Sequence, residues 1–414
     1  MRWEEDIGRS EGCKRARTKK GVGMDFELSS ELAELQDTVR RIARDKVQPR
    51  AREIDTTGEY PADLFETFAK AGLLGLCIPE EYGGSGAGIL GLVLAVEEVA
   101  KYSSTAALML LLTRLPTGPV MIAGSEDQRK RYLPGIAEGT QRAAFGLSEP
   151  QAGSDVMGMR TRAVRDPSHE GAWILNGLKC WMSGVAQADW FTVFAKTEAP
   201  ASRAHDSITA FIVERGWKGV SVGRLDEKMG VRGVDTGELV LKDVSVPPEC
   251  VIGEVGGFRL AMLGLNSMRP VVAARGIGLA EGALMYATNY VKEREAFGRT
   301  VADFQGIQWE LAKLATEIEA ARLLTYRAAA LADQGKFTKE WVPLLSMSKY
   351  YATELAVHAS GVALQLLGAA GYMKDHPTEL WYRDAKQLTI VEGTTQVQLG
   401  LIAKGLLDGD IWWD

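Results

Sequence analysis

Cysteine and histidine are scarce in this sequence. Its 414 residues contain four of each, with neither the CxxC spacing of zinc and redox sites nor the HExxH pattern of zinc hydrolases. The scattered thiols of Cys13, Cys77, Cys180 and Cys250 give no disulfide framework and suit a reducing compartment. We therefore expect a cytoplasmic protein without a metal site.

An excess of positive charge and long apolar runs are also lacking. The net charge of −6 argues against a nucleic-acid surface, which needs clustered lysine and arginine. No stretch reaches the roughly 18 apolar residues of a membrane-spanning helix, so we expect no integral membrane segment. The nearest stretch, "TAALMLLLTRL" at 105–115, is too short and contains Arg114, which favours a buried helix or a pocket wall.

One basic run stands out near the start of the chain. "KRARTKK" at 14–20 lies in a polar segment before Met24 and lacks the apolar core of a secretory signal. Because blocks of like charge are usually solvated, we interpret residues 1–23 as a disordered extension or the product of an early start codon. An interaction tail is the alternative.

The rest of the chain divides into three blocks. Residues 24–142 place apolar side chains at helical spacing, whereas residues 143–255 contain short alternating runs typical of strands. Within the second block, the Asn-Gly pair of "AWILNGLKCWMSG" predicts a turn between two short strands. Helical spacing returns in residues 256–414. The sequence therefore predicts a helical block, an antiparallel β block and a helical bundle.

A glycine pattern in the first block is misleading. "GAGILG" at 86–91 matches the GxGxxG fingerprint of dinucleotide-binding proteins. That fingerprint requires a surrounding βαβ unit, and the segment lies instead within a helical block. We interpret these glycines as a loop between helices.

Two stretches of the β block are candidates for ligand contacts. "AFGLSEPQAGSD" at 144–155 offers small residues, hydroxyl groups and backbone N–H groups to a flat polar ring or a phosphate. In "KCWMSG" at 179–184, Trp181 and Ser183 are two apart on a strand and point to one side, where they can stack on a ring and hydrogen-bond it. A turn-rich linker and a core tryptophan are the alternatives.

Six motifs occur in the order found in one enzyme family. They are "AFGLSEPQAGSD", "KCWMSG", "RPVVAARGIGLAEGAL", "EREAFGRTVADFQGIQ", "QLLGAAGY" and "YRDAKQLTIVEGTTQVQ". Across roughly residues 24–405 the chain resembles the acyl-CoA dehydrogenase family. The resemblance implies an α+β subunit with an N-terminal all-α domain (24–142), a middle antiparallel β-barrel-like domain (143–255) and a C-terminal four-helix bundle (256–414). It also implies FAD bound at a dimer interface, usually in a homotetramer.

The resemblance further implies a reaction of lipid metabolism. Members of the family oxidise an acyl-CoA thioester to the trans-2-enoyl-CoA and pass the electrons to an electron-transferring flavoprotein. A flavin oxidase or monooxygenase of the same fold is one rival, although such relatives usually lack the Glu-Gly pair of "VEGT". A non-catalytic acyl-CoA-binding relative is the other.

Glu392 is the candidate catalytic base. In the family the matching glutamate removes the α-proton while the β-carbon gives a hydride to flavin N5. An ordinary glutamate pKa near 4.3 is too low for efficient base catalysis at pH 7, and burial beside Ile390 and Val391 is expected to raise it. A solvated surface glutamate is the alternative. Branches of the family with their base on an earlier helix are excluded, because that position holds Met268.

The resemblance assigns further contacts residue by residue. Four residues match substrate contacts: Ser154, Asn266, Arg269 and Gly393. Asn266 departs from the aspartate common at its position. Flavin contacts from the same subunit match Phe145, Leu147, Ser148, Trp181, Ser183, Thr394 and Gln396. FAD contacts from a second subunit match Arg294, Phe297, Gln305, Gln365 and Gly368. A surface cation and a helix-capping amide are the alternatives for Arg294 and Gln305.

The acyl group is not specified by these motifs. The leucine and methionine side chains of "TAALMLLLT" indicate a bulky apolar chain. A substrate of the glutaryl type would need a cation for its distal carboxylate, and Arg114 is a weakly placed candidate for that cation.

Overall fold

The computed structural model describes residues 27–197 and 207–409. The extension expected at residues 1–23 lies outside the described residues. Along the described chain, helices come first, strands follow, and helices return, in the order that the changes of periodicity predict.

The N-terminal helices enclose a pair of buried helices. α4 and α5 are apolar around most of their circumference, as expected for helices packed on all sides. A serine side chain caps the first helix, since Ser29 Oγ accepts a hydrogen bond of 3.3 Å from the Leu32 N–H. The bounds are α1 Ser30–Ile42, α2 Ala51–Thr57, α3 Ala62–Lys70, α4 Gly88–Ala100, α5 Ser104–Leu111, α6 Gly118–Ala123, α7 Glu126–Tyr132 and α8 Pro134–Glu138.

The middle strands form one sheet. Its strand order is β6-β7-β3-β2-β4-β5-β8, with β1 paired to β4 off this path. Most neighbours are antiparallel, while β1 and β2 each run parallel to β4. The bounds are β1 Ala143–Gly146, β2 Arg162–Arg165, β3 Trp173–Ser183, β4 Trp190–Thr197, β5 Ile208–Glu214, β6 Val220–Leu225, β7 Thr236–Val246 and β8 Val251–Ile252.

The turn predicted at Asn176-Gly177 is wrong. β3 runs through this pair as one strand, with a register shift against β7 between Leu175 and Gly177. The Asn176 side chain exchanges hydrogen bonds of 3.0 and 2.9 Å with the side chain and N–H of Asp243, which holds the bulge. A side chain at Gly177 would collide with Thr161, so close packing accounts for the glycine here.

The C-terminal block is built from three long helices and shorter ones around them. α9 packs along α11, and Pro270 inside α9 removes the backbone donor that would bond the Asn266 carbonyl. The break in the helical hydrogen bonding thus falls beside Asn266 and Arg269. The bounds are α9 Phe258–Glu293, β9 Glu295–Ala296, β10 Arg299–Thr300, α10 Gln305–Asp333, α11 Val342–Leu367, α12 Ala369–Tyr372, α13 Thr378–Leu388 and α14 Thr395–Asp408.

The first and last blocks share a core. α4 packs on α9 so closely that a Cβ at Gly278 would collide with the carbonyl oxygen of Glu97. The hydrophobic cluster around this contact contains side chains from both blocks, while a second cluster joins the sheet to α6, α7 and α8. Within the described ranges, no helix is both long and apolar enough to cross a bilayer.

Candidate active site

A cavity of about 840 Å³ opens where the three blocks meet. α5, the loop after β1, the end of β3, α9 and the turn between α13 and α14 all contribute to its lining. This volume is in the usual range for a site that holds a small organic ligand. The stretch 105–115, expected as a buried helix or pocket wall, provides Leu108, Leu111, Leu112 and Leu115 to the lining.

The structure brings most of the predicted site residues together in this cavity. The flavin-contact candidates among its lining residues are Phe145, Leu147, Ser148, Trp181, Ser183 and Thr394. The substrate and base candidates are Ser154, Asn266, Arg269, Glu392 and Gly393.

The other predicted residues lie elsewhere on the subunit surface. They are exposed side chains or backbone outside the cavity: Arg294, Phe297, Gln305, Gln365, Gly368 and Gln396. Phe297 is 96% exposed at the tip of the β9–β10 hairpin. Within one chain these residues do not complete the cavity, so their assignment to FAD stays a prediction. For all of them except Gln396, which is assigned to the same subunit as Glu392, that prediction depends on a second subunit.

Glu392 is held in an unusual backbone conformation. Its φ of 52° lies in the left-handed region, and the φ of Gly393 is 91°. Such a conformation costs a non-glycine residue of order 1–3 kcal/mol and persists only where its surroundings hold it. Here the Gln398 amide donates hydrogen bonds of 3.2 Å to the backbone carbonyl oxygens of Glu392 and Gly393. Lys349 Nζ donates a further hydrogen bond of 2.8 Å to the Gly393 carbonyl oxygen.

The Glu392 carboxyl is enclosed and poorly solvated. Its Oε2 is buried and has no hydrogen-bond partner among the described groups, although the residue as a whole is half-buried because it lines the cavity. Burial raises the pKa of Glu392 to about 7, and the nearby charges of Lys349, Arg275 and Arg269 oppose that rise. A carboxyl group with this pKa is partly ionised at neutral pH, which suits general acid–base chemistry.

The surroundings of Glu392 differ from those that the sequence predicted. Ile390 is 57% exposed in the single chain, so it contributes little cover to the carboxyl. The sequence showed no cation beside Glu392, whereas the fold supplies Lys349 and Arg275. Each is a lone charge in an otherwise largely apolar stretch, "SMSKYYA" and "VVAARGIGLA", and that signal was available in the sequence.

Arg269 and its neighbours line the cavity beside the base. Arg269 Nη1 donates a hydrogen bond of 2.8 Å to Ser346 Oγ, and its Nε has no acceptor in the described chain. Burial lowers the pKa of Arg269 to about 10. The Asn266 side-chain amide donates a hydrogen bond of 3.0 Å to the Phe337 carbonyl oxygen. The asparagine that replaces the usual aspartate therefore holds the loop before α11. Met268 is fully buried.

A buried ion pair joins the two loops assigned to the flavin. Lys179 Nζ on β3 donates a hydrogen bond of 2.7 Å to Glu149 Oε1 and another of 3.1 Å to the Leu147 carbonyl oxygen, both in the loop after β1. Glu149 also accepts hydrogen bonds from the N–H groups of Arg160 and Thr161, at 2.6 and 3.0 Å. A buried pair with this many hydrogen bonds fixes the two loops relative to each other.

The cavity wall between these loops suits a flat aromatic ring. Trp181 has a φ of 54° and is 55% exposed, so its indole lines the cavity and is not packed in the hydrophobic core. Phe145 lies on the same wall, and the hydroxyl groups of Ser148 and Ser183 are available for ring heteroatoms. The residues present thus fit the isoalloxazine ring of FAD.

Arg114 does not line the cavity. It is buried, with 6% exposure, and its Nη1 has no hydrogen-bond acceptor among the residues described. Its charge lies nearer Cys77 and Asp333 than the site. The suggestion that Arg114 receives a distal substrate carboxylate is therefore wrong.

Comparisons with known proteins agree with this architecture. Three family models match: the acyl-CoA dehydrogenase N-terminal domain over residues 29–140, the middle domain over 144–244 and the C-terminal domain over 256–407. The acryloyl-CoA reductase (NADH) of Anaerotignum propionicum is 40% identical over 396 residues, with 95% of this chain and 98% of that protein covered.

Two solved structures are similarly close. Butyryl-CoA dehydrogenase from Megasphaera elsdenii superposes with a TM-score of 0.88 at 37% identity, covering 93% of this chain and 100% of the other. A chain in the structure of the electron transferring flavoprotein of Acidaminococcus fermentans also superposes with a TM-score of 0.88. Its identity to this chain is 38%, and the superposition covers 93% of this chain and 100% of the other.

The fold and the cavity together define an oxidoreductase of acyl-CoA thioesters. The chain belongs to the acyl-CoA dehydrogenase family, whose members depend on FAD.

Proposed function

We propose that this protein catalyses FAD-dependent α,β-dehydrogenation of an acyl-CoA thioester to the trans-2-enoyl-CoA. The observation that carries the proposal is the position of the Glu392 carboxyl. It lies in one cavity with both flavin loops, has a buried oxygen without a partner, and has a pKa raised to about 7. These are the properties required of a base that removes a proton from the carbon α to a thioester.

The chain's own residues explain how the proton is taken. The left-handed turn at Glu392 and Gly393 directs the carboxyl into the cavity, and Lys349 and Gln398 hold the two carbonyl groups of that turn. Arg269, which matches the family arginine beside the thioester, keeps a buried N–H group free on the same wall. FAD, when bound, supplies at N5 the acceptor for the hydride that leaves the β-carbon.

The same residues also suit the reverse direction. A carboxyl with a pKa of about 7 is partly protonated at neutral pH, so Glu392 is able to return a proton to the α-carbon of an enoyl-CoA. The 40% identity to an acryloyl-CoA reductase favours testing reduction as a second function. The similarity to a chain from an electron-transferring flavoprotein structure favours such a flavoprotein as the redox partner.

A homodimer or homotetramer is part of the proposal. Large apolar side chains are exposed around the residues assigned to a second FAD half-site, including Phe297 at 96% and Trp309 at 61%. Exposed apolar patches of this kind mark interaction surfaces. A second copy placed there would bring Arg294 and Gln305 to the FAD of its neighbour.

The test is a panel of acyl-CoAs from C4 to C16, with branched and cyclic members, assayed with an artificial electron acceptor. We expect a yellow protein with about one FAD per subunit whose flavin bleaches with at least one acyl-CoA under anaerobic conditions. Rapid reoxidation by air with peroxide formation would favour the oxidase alternative. Tight acyl-CoA binding without any bleaching would favour the non-catalytic one.

A further inference from the structure

We infer that Arg275 binds an anionic group at the inner end of the cavity, and that the substrate's acyl chain ends in a carboxylate. The inference rests on the proposed function and adds the chemical class of its substrate to it. It starts from a buried guanidinium that the proposed proton abstraction does not use as a contact to the thioester.

Arg275 is an almost fully buried cation without an ion pair in the described chain. It is 1% exposed, and the nearby carboxylates of Asp384 and Glu392 act on it only through space. Its Nε donates to the carbonyl and hydroxyl oxygens of Ser104, at 3.0 and 2.9 Å, and its Nη2 donates 2.7 Å to Gln387 Oε1. All of these acceptors are neutral.

The remaining N–H groups of Arg275 have no protein acceptor within the described ranges. A guanidinium has five N–H groups, and the contacts to Ser104 and Gln387 use only the Nε–H and one on Nη2. The other N–H of Nη2 and both of Nη1 are left, and Arg275 lines the cavity. A guanidinium that lines a cavity with N–H groups unused by the protein is suited to donate them to an anionic group of a ligand bound there.

The position of Arg275 along α9 identifies which end of the ligand it meets. The cavity-lining residues of α9 pass from the exposed Arg259 through Asn266 and Arg269 to Arg275, and burial increases in that direction. Arg275 is about 9 Å of helix rise beyond Arg269. The CoA portion enters at the exposed end, so Arg275 meets the far end of the acyl chain.

The shape of the donor set favours a carboxylate over a single polar oxygen. Two parallel N–H groups on a guanidinium edge pair with both oxygens of a carboxylate at once. Ser104 lies at the start of α5, whose N-terminal partial positive charge adds to that of Arg275. The leucine side chains of the next turns of α5 would cover the methylene groups between the thioester and the carboxylate.

A matched pair of substrates tests the inference on the wild-type protein. Glutaryl-CoA and 5-methylhexanoyl-CoA have the same chain length and end shape, and differ in whether the end is a carboxylate or an isopropyl group. We expect kcat/KM for glutaryl-CoA to be higher by about 10-fold to 100-fold, the usual effect of hydrogen bonds to a charged group. A preference for 5-methylhexanoyl-CoA would overturn the inference.

Variants then assign the preference to a residue. Arg275→Met should abolish the preference, by lowering kcat/KM for glutaryl-CoA about 10-fold to 100-fold more than for 5-methylhexanoyl-CoA, and Arg275→Lys should retain part of it. Because the Arg275 charge also lowers the pKa of Glu392, the slowing that its loss causes at the base should be shared by both substrates. Arg114→Met is the matched control, since it removes another buried guanidinium that lies outside the cavity. An unchanged substrate ratio in Arg275→Met, or loss of FAD from that variant with the ratio unchanged, would contradict the role given to Arg275.

A binding measurement separates this inference from the proposed function. In a Glu392→Gln background, calorimetry should show tighter binding of glutaryl-CoA than of 5-methylhexanoyl-CoA, and Arg275→Met should remove the difference. If no acyl-CoA reduces the wild-type flavin but this difference in Kd is present, the proposed function fails and the anion site stands. If butyryl-CoA reduces the flavin and the two Kd values are equal, the anion site fails alone.

Discussion

Replacing Lys349 by methionine should move the pH dependence of the reaction. Lys349 Nζ lies 2.8 Å from the Gly393 carbonyl oxygen, and its charge is the strongest of those that lower the pKa of Glu392. Removing it should raise that pKa from about 7 by about one unit, at the low end of what a close opposite charge produces. The ionised fraction of Glu392 at pH 7 would fall from about a half to about a tenth.

The assay is kcat/KM for one good acyl-CoA between pH 5.5 and 9.5. We expect Lys349→Met to be about fivefold slower at pH 7, with its rising limb displaced by about one pH unit towards alkaline pH. The difference should vanish above about pH 9. Burial lowers the pKa of Lys349 itself to about 8, so the wild-type lysine also loses its charge there. The rising limb of the pH profile therefore reports the coupled titration of Glu392 and Lys349 and not the pKa of one residue.

The control is Lys386→Met, the same change at an exposed lysine close to Glu392 in sequence. Its pH profile should match that of the wild type, because solvent screens its charge. A loss of activity in Lys349→Met that is equal at every pH would mean that Lys349 only holds the Gly393 carbonyl. That result would refute the electrostatic reasoning.

Three further outcomes follow from the site. Lys179→Met leaves the Glu149 carboxylate buried without its partner, so the flavin loops should be destabilised by about 3–5 kcal/mol and FAD should be lost on gel filtration. Arg294→Met should weaken FAD binding about tenfold if a second subunit supplies that cation, as fluorescence titration would measure, and Glu295→Gln next to it should not. Glu392 has a folded pKa above its ordinary value of 4.5, so its stabilising contribution is present below pH 4.5 and is lost by about pH 7. Urea unfolding should therefore show that the free energy of unfolding of the wild type falls between pH 4.5 and 8 by about 3 kcal/mol more than that of Glu392→Gln.

Much of the architecture was predictable because periodicity is a local property. The change from helical spacing to alternation near residue 143, and back near residue 256, follows the order of elements in the fold. The turn predicted at Asn176-Gly177 was wrong because contacts with Asp243 and Thr161, distant in sequence, make the pair a bulge inside a strand. Turn propensity alone does not contain those contacts.

The sequence motifs predicted many of the residues that line the cavity, but not the residues that hold them in place. Glu392 could be selected from "VEGT", and the fold places it in the cavity with Trp181 and Phe145. The roles of Lys349 and Arg275 depend on which helices pack against the Glu392 turn, and a single sequence does not specify that packing. A lone charge among apolar helical residues was the only signal that it gave.

The most direct test of the account is the rate of flavin reduction in Glu392→Gln. The amide keeps the size of the side chain but is not a base, so FAD and acyl-CoA should still bind while the rate falls by at least about 10²-fold to 10⁴-fold. Stopped-flow bleaching by a good acyl-CoA measures this rate, with Glu295→Gln, an exposed carboxylate on β9, as the nearly silent control. Wild-type-like reduction by Glu392→Gln would contradict the account, because Met268 at the alternative base position cannot accept a proton.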